Sequence, residues 1–345
     1  MVSMKGNVIV GQSGGPTAVI NSSLAGVYKT AKDRGARKVY GMLHGIKGLL
    51  DKQYVDLSEK IKTDIDIDLL KRTPSSYLGS CRYKLPEISD DRDTYEKIFE
   101  ILKELNISYF FYIGGNDSMD TIKKLSDYAL LVGSDIKFMG VPKTIDNDLA
   151  VTDHTPGFGS AAKFIAATMK EIIRDGLVYD YPTVTIVEIM GRNAGYIALW
   201  CGIANGAEDI LLPEKYDYDE QKIINNIIEN RRKGKKHHII VNAEGIGHST
   251  SMARRIEAAT GIETRATILG HMQRGGSPTC KDRVYASIMG AYAVDLLLEG
   301  KTDRVVAYKN GEYVDYDIDE ALSMTKTLPE YQWEIARALS YNYTK

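Results

Sequence analysis

The sequence predicts an α/β protein of two domains, with mainly parallel sheets flanked by helices. Short apolar runs alternate with longer amphipathic segments, glycine clusters stand directly after the apolar runs, and 345 residues exceed the roughly 100 to 200 of one domain. In chain order, "NVIV" (7–10) reads as a strand and "AVINSSLAGVYKTAKDRG" (18–35) as the helix after it, with Pro16 near its first turn. "YFFYIGG" (109–115) precedes "DSMDTIKKLSDYALLVG" (117–133), and "KFMGVP" (137–142) is a further strand. "TVTIVEIMG" (183–191) leads into "RNAGYIALWCGIANG" (192–206), and "HHIIVNAEG" (237–245) repeats the strand pattern. Alternation of this kind builds parallel sheets, whose ligands bind at the carboxyl ends of the strands. The glycines gather at those ends, in "GQSGGP", "GGND", "MGRNAG" and "NAEG". A domain boundary is expected within 155–163, where Pro156, Gly157 and Gly159 punctuate the pattern.

Composition narrows the partners. Lys plus Arg (44) nearly balances Asp plus Glu (46) without long blocks of one sign, which argues against nucleic acid or an anionic membrane. Cys81, Cys201 and Cys280 are far apart and form no C-x-x-C pair, so neither a disulfide framework nor a zinc site is expected. No apolar run approaches the ~18 residues of a membrane span, and a soluble cytoplasmic protein is the expectation.

Three groups of residues carry chemistry. The loop Gly11–Gly15, with Gly14 and Gly15 at its tip, suits a phosphate approaching backbone amides; it matches neither G-x-G-x-x-G nor Walker A. "GKT" at 300–302 lacks the first Walker glycine and reads as a turn. "PKTIDND" (142–148) puts Lys143, Thr144, Asp146 and Asp148 within seven residues. An acidic turn explains them structurally; functionally, one carboxylate can act as general base and the other can hold Mg2+. "ETRATILGHMQRGGSP" (263–278) and "EIMGRNAG" (188–195) bring Arg265, His271, Arg274 and Arg192 beside glycines, a set suited to phosphate oxygens. The other histidines, His44, His154, His237, His238 and His248, read as structural.

These motifs, with "LGSCRYK" (78–84), resemble in order those of the 6-phosphofructokinases over about residues 7–285, most closely the pyrophosphate-dependent members. The resemblance implies a phosphofructokinase-like fold of two interlocked domains: 1–157 with 274–325 for the phosphoryl donor, 158–273 with 326–345 for fructose 6-phosphate. It implies that Asp146 takes the proton of the sugar 1-hydroxyl, with Thr144 beside that oxygen and Arg192 stabilising the transferring group. Donor binding falls to Gly14, Gly15, Arg82, Gly115, Asn116, Asp117 and Lys143, and Mg2+ to Asp148 and Asn116. Met190, Gly191, Glu244, His271 and Arg274 would hold the sugar phosphate, and Arg265 would reach it across the interface of a homodimer or homotetramer.

Departures from the family pattern sharpen the expectation. Thr183 stands where many bacterial ATP-dependent members have a second intersubunit arginine, and Ala25 where one effector-pocket arginine stands. Asn116 replaces a usual aspartate near Mg2+. ATP-using members commonly have glycine at the positions of Asp117 and Lys143, and pyrophosphate-using members resemble this chain at both. Asp117 also reads as a helix N-cap. The expected activity is glycolytic, reversible phosphoryl transfer from pyrophosphate to fructose 6-phosphate; an ATP-dependent kinase and a catalytically silent regulatory subunit are the alternatives.

Overall fold

Residue 7 begins a run of six buried residues, β1 (Asn7–Gln12), which the computed structural model, describing residues 3–340, places near the middle of a seven-stranded sheet. Its other strands are β2 (Val39–Met42), β3 (Tyr54–Asp56), β4 (Ile107–Gly114), β5 (Lys137–Pro142), β10 (Arg304–Lys309) and β11 (Glu312–Asp317). The order is β11-β10-β5-β4-β1-β2-β3. The five inner strands run parallel, and β3 and β11 close the edges antiparallel. From β1 the chain builds β2 on one side and β4 on the other, so the carboxyl ends of β1 and β4 flank a topological switch point. Gln12 pairs with Ile113 and Gly114 with Pro142, which ends β1, β4 and β5 at one level.

Alternating side chains fill both faces of this sheet. Val8, Val10, Phe111, Ile113, Met139 and Val141 pack with helices Ile20–Asp33 and Cys280–Leu298, while Ile9, Phe110, Tyr112 and Phe138 pack with helices Arg92–Glu104 and Asn116–Val132. The first two helices approach at glycines. A Cβ on Gly26 would lie 2.2 Å from the Ser287 carbonyl oxygen, and one on Gly290 2.2 Å from that of Ser23.

A second sheet holds β6 (Thr183–Ile189), β7 (Asp209–Leu211), β8 (His237–Ala243) and β9 (Glu263–Ile268), all parallel in the order β7-β8-β6-β9. Val184, Ile186, Leu211 and Ile240 pack with helices Glu220–Arg232 and Ser249–Thr260. Fold and parallel pairing agree with the sequence expectation.

The chain divides into two compact units. One ends at Ser160 and returns from Ser277 to Lys326; the other runs from Ala161 to Gly276 and resumes at Thr327.

One local expectation is corrected. The helix after β1 starts at Ile20, so Pro16 lies outside it, and residues 13–19 form a loop. The reason is long-range: the fully buried Gln12 donates its Nε2 to the Ile20 carbonyl and to Asn21 Oδ1 (3.3 and 3.0 Å), and its Oε1 accepts from Ser76 Oγ and Leu78 N. The polar first turn of the helix is thereby occupied in holding residues 73–79. Gly300, in the "GKT" stretch, takes a φ of +89° in the turn before β10.

Candidate active site

Lys143, next after β5, is buried, and its ammonium donates to the carbonyls of Ser13 (2.6 Å) and Gly15 (2.8 Å). Its backbone N–H donates to the Gly114 carbonyl (2.8 Å), and Ser13 N–H to that of Ile113 (2.9 Å). The ends of β1, β4 and β5 are thus tied together around one cation. The ammonium organises the first glycine loop, tying down the residues on either side of Gly14. On the other side, Gly14 N–H donates to the Cys81 carbonyl (3.0 Å) and Ser80 Oγ to the Gly14 carbonyl (2.5 Å). Those bonds bring Arg82, exposed, beside the loop.

Gly115 is the N-cap of helix Asn116–Val132, and Asp117 lies inside its first turn without capping it. The N-cap expectation for Asp117 is therefore corrected, because the strand end of β4 already sets the cap two residues earlier. Its carboxylate, two-thirds exposed, pairs with Lys84 at 2.8 Å. Asn116 donates its amide to Asp148 (2.8 Å). Burial pushes the Asp148 carboxyl above its ordinary value and Asp117 adds to the rise, against the Lys326 cation and the Asn116 amide. Burial also brings the Lys326 ammonium down to about 8, opposed by Asp148 and Asp153.

In the turn after β5, burial alternates: Lys143, Ile145, Asn147 and Leu149 are buried, while Thr144, Asp146 and Asp148 are partly open. Asn147 fixes this. Its backbone is left-handed (φ 54°), its Oδ1 accepts from Thr155 N (2.9 Å) and Oγ1 (3.2 Å), and its Nδ2 donates to the Asp153 carbonyl (3.2 Å). Thr155 Oγ1 also donates to the Thr144 carbonyl (2.9 Å), and Thr144 Oγ1 accepts from Asp146 N–H (3.1 Å). Segment 152–157 is anchored in turn by His154, whose Nε2 is 2.5 Å from Asp282 Oδ1; Asp282 also accepts from Ser160 N and Oγ at 2.6 Å.

The second unit assembles its own cluster at the ends of β6 and β8. Glu244 N–H donates to the Ile189 carbonyl (2.8 Å) and Gly245 N–H to that of Gly191 (3.1 Å), which sets Met190, Gly191 and Arg192 against Glu244. The buried Gln273 accepts from Met190 N–H (3.0 Å) and donates to the Gly270 carbonyl (2.9 Å), drawing in the turn that carries His271 and Arg274. Arg265 does not join them. It lies within edge strand β9, bonded to Glu263 (2.8 Å) and over the Tyr179 ring (5.8 Å).

Comparison with known proteins decides the family: the model described as Phosphofructokinase matches residues 7–297. The chain is a member of the phosphofructokinase family. An ATP-dependent 6-phosphofructokinase of Clostridium botulinum is 40% identical over 328 residues, covering 95% of this chain and 97% of the relative. ATP-dependent 6-phosphofructokinase 1 of Clostridium perfringens is 41% identical over 331 residues, with the same coverages. Among solved structures, the pyrophosphate-dependent phosphofructokinase of Nitrosospira multiformis has a TM-score of 0.85 at 31% identity, covering 94% of this chain and 86% of that one. That of Marinobacter aquaeolei has 0.84 at 32%, with the same coverages. The protein is accordingly a phosphotransferase, and its relatives carry both donor names.

Phosphofructokinases are generally Mg2+-dependent, and the residues present fit that ion. Among the described residues no three His, Cys, Asp or Glu side chains are grouped to hold a metal by themselves. Mg2+ needs only one or two carboxylates when phosphate oxygens supply the rest, and the partly open Asp148 carboxylate, with the Asn116 amide bonded to it, fits that requirement. Sequence reasoning missed Lys84, Asn147, Gln273 and Lys326. Lys84 and Gln273 lay inside motifs already singled out, and a polar residue amid "TIDND" was the one available signal for Asn147.

Proposed function

We propose that this phosphofructokinase transfers a phosphoryl group from pyrophosphate to the 1-hydroxyl of fructose 6-phosphate, reversibly and in the cytoplasm, as a step of glycolysis. The observation that carries the donor is Asp117, whose carboxylate lies in the first turn after β4, beside a glycine loop held by Lys143. ATP-using members of the family commonly have glycine at that position, which gives an α-phosphate room; the Asp117 side chain, paired with Lys84, fills it. The two solved neighbours above are named pyrophosphate-dependent phosphofructokinases, which supports the same reading, while the names of the Clostridium relatives favour ATP.

In this reading Asp146 accepts the proton of the 1-hydroxyl as that oxygen bonds to phosphorus and the pyrophosphate P–O bond breaks, releasing phosphate. Thr144 lies beside the attacking oxygen, its Oγ1 already bonded to Asp146 N–H. Arg82 and the glycine loops at Gly14, Gly15 and Gly115 hold the donor, with Asn116, Asp117 and Lys143 shaping its place. Asp148 and Asn116 would hold Mg2+, which supplies positive charge against the transferring group. Arg192 stabilises that charge; Met190, Gly191, Glu244, His271 and Arg274 bind the sugar phosphate. Phosphoryl transfer depends chiefly on positioning and charge, which this inventory provides. Arg265 completes the sugar-phosphate site from a neighbouring copy in a homodimer or homotetramer.

The test supplies purified protein with fructose 6-phosphate and Mg2+, then pyrophosphate or ATP, and measures fructose 1,6-bisphosphate. Turnover with pyrophosphate is expected. ATP turnover alone would reject the donor, and turnover with neither would reject catalysis.

A further inference from the structure

Pyrophosphate is a compact polyanion, and a lone carboxylate at Asp117 would repel it as surely as it repels a nucleotide. The carboxylate is not alone: Lys84 Nζ lies 2.8 Å from Asp117 Oδ1. The course of the backbone puts it there. Lys124 Nζ donates to the Leu85 carbonyl (3.0 Å) while pairing with Asp120 (3.0 Å) and Glu87 (2.7 Å), Tyr95 OH donates to the Pro86 carbonyl (2.5 Å), and Leu85 is buried. Residues 84–87 are therefore laid along helix Asn116–Val132, with Lys84 over its first turn. The same segment is bonded at Ser80 and Cys81 to Gly14.

We propose that Lys84 is a donor-specificity residue: its ammonium neutralises Asp117, so that pyrophosphate is accepted where the paired side chains bar a nucleotide. This rests on the pyrophosphate reading above. The pair is 73% and 67% exposed, and an ion pair so solvated contributes little to folding. Its effect is on local charge, which falls from neutral to minus one when Lys84 is removed.

A double-mutant cycle of Lys84→Met and Asp117→Asn tests it, with kcat and KM measured for pyrophosphate in the presence of fructose 6-phosphate and Mg2+. Lys84→Met should lower kcat/KM about tenfold or more at low ionic strength, mainly through KM, and added salt should shrink the deficit. Adding Asp117→Asn should recover most of the loss, and Lys84→Arg should stay near wild type. Unchanged kinetics in Lys84→Met, or equal impairment in the single and double variants, overturns the pairing role. Wild type that turns over with ATP and not pyrophosphate overturns the donor reading and this proposal together; pyrophosphate turnover without coupling overturns this proposal alone. Thermal unfolding midpoints equal to wild type show that the losses are not folding defects.

Discussion

Asp146 and Asp148 stand on either side of Asn147, and the buried amide between them holds both partly open carboxylates in place. Asp146→Asn keeps the shape and removes the proposed base. It should lower kcat by about 10² to 10⁴ with KM for fructose 6-phosphate little changed, as steady-state kinetics will read. Asn147→Ala loses three hydrogen bonds and keeps a left-handed backbone that alanine disfavours; a cost of about 2 to 4 kcal/mol in stability is expected by denaturant unfolding. Asn147→Gly relieves the backbone alone, so any activity it fails to recover belongs to the amide. At this scale the sequence displayed 142–148 as one acidic turn after an apolar run, and the structure holds it as one turn after β5. The sequence was opaque at Gln12, Gln273 and Lys84, whose deciding partners lie 33 to 83 residues away; Gln273, for example, meets Met190 across 83 residues.

Strands were legible because apolar runs and strand-end glycines report local physics, and β1, β4, β5, β6 and β8 all fall on runs that the sequence displays. The antiparallel edges β3 and β11 were not, since short half-buried strands carry no strong pattern. The loop locked by Lys143 changes what donor swapping requires. Replacing Asp117 and Lys143 together by glycine should weaken pyrophosphate use and permit some ATP turnover, because the Asp117 side chain and its Lys84 partner then no longer fill the space at the first turn of the helix. The double variant should also melt lower than Asp117→Gly, having lost the ammonium between Ser13 and Gly15. Kinetics with both donors and thermal melts check this, and an unchanged donor ratio would show that "GGND" does not choose the donor. In β8, burial brings His237 down to about 4, so the folded state holds it neutral while the unfolded chain binds a proton below about 6.5. Stability contributed by that neutral form is complete above pH ~6.5 and is lost as pH falls through ~4, by up to about 3 kcal/mol. His237→Gln should flatten this part of the stability profile in denaturant titrations between pH 4 and 7.

At the scale of the molecule, Arg265 lies on the open edge strand β9, and the role proposed for it depends on assembly. Arg265→Ala should weaken fructose 6-phosphate binding by roughly 1.5 to 3 kcal/mol, as loss of a charged hydrogen bond to phosphate. Mixed oligomers of Arg265→Ala with Asp146→Asn subunits should regain activity that neither variant shows; inactive, verified mixtures would place Arg265 at its own subunit's site. The threading of the chain between its two units has a consequence for synthesis. When residue 160 leaves the ribosome, β5 still lacks β10 beside it, and helix Ile20–Asp33 lacks the helix Cys280–Leu298 that meets it at Gly26 and Gly290. The first half of the nascent chain must therefore wait, with a bare parallel edge and an uncovered apolar helix face, while more than a hundred further residues are translated. At about 5 to 20 residues per second that interval lasts several seconds or more, long enough for holding chaperones to engage the edge of β5 before the protein's own strand arrives.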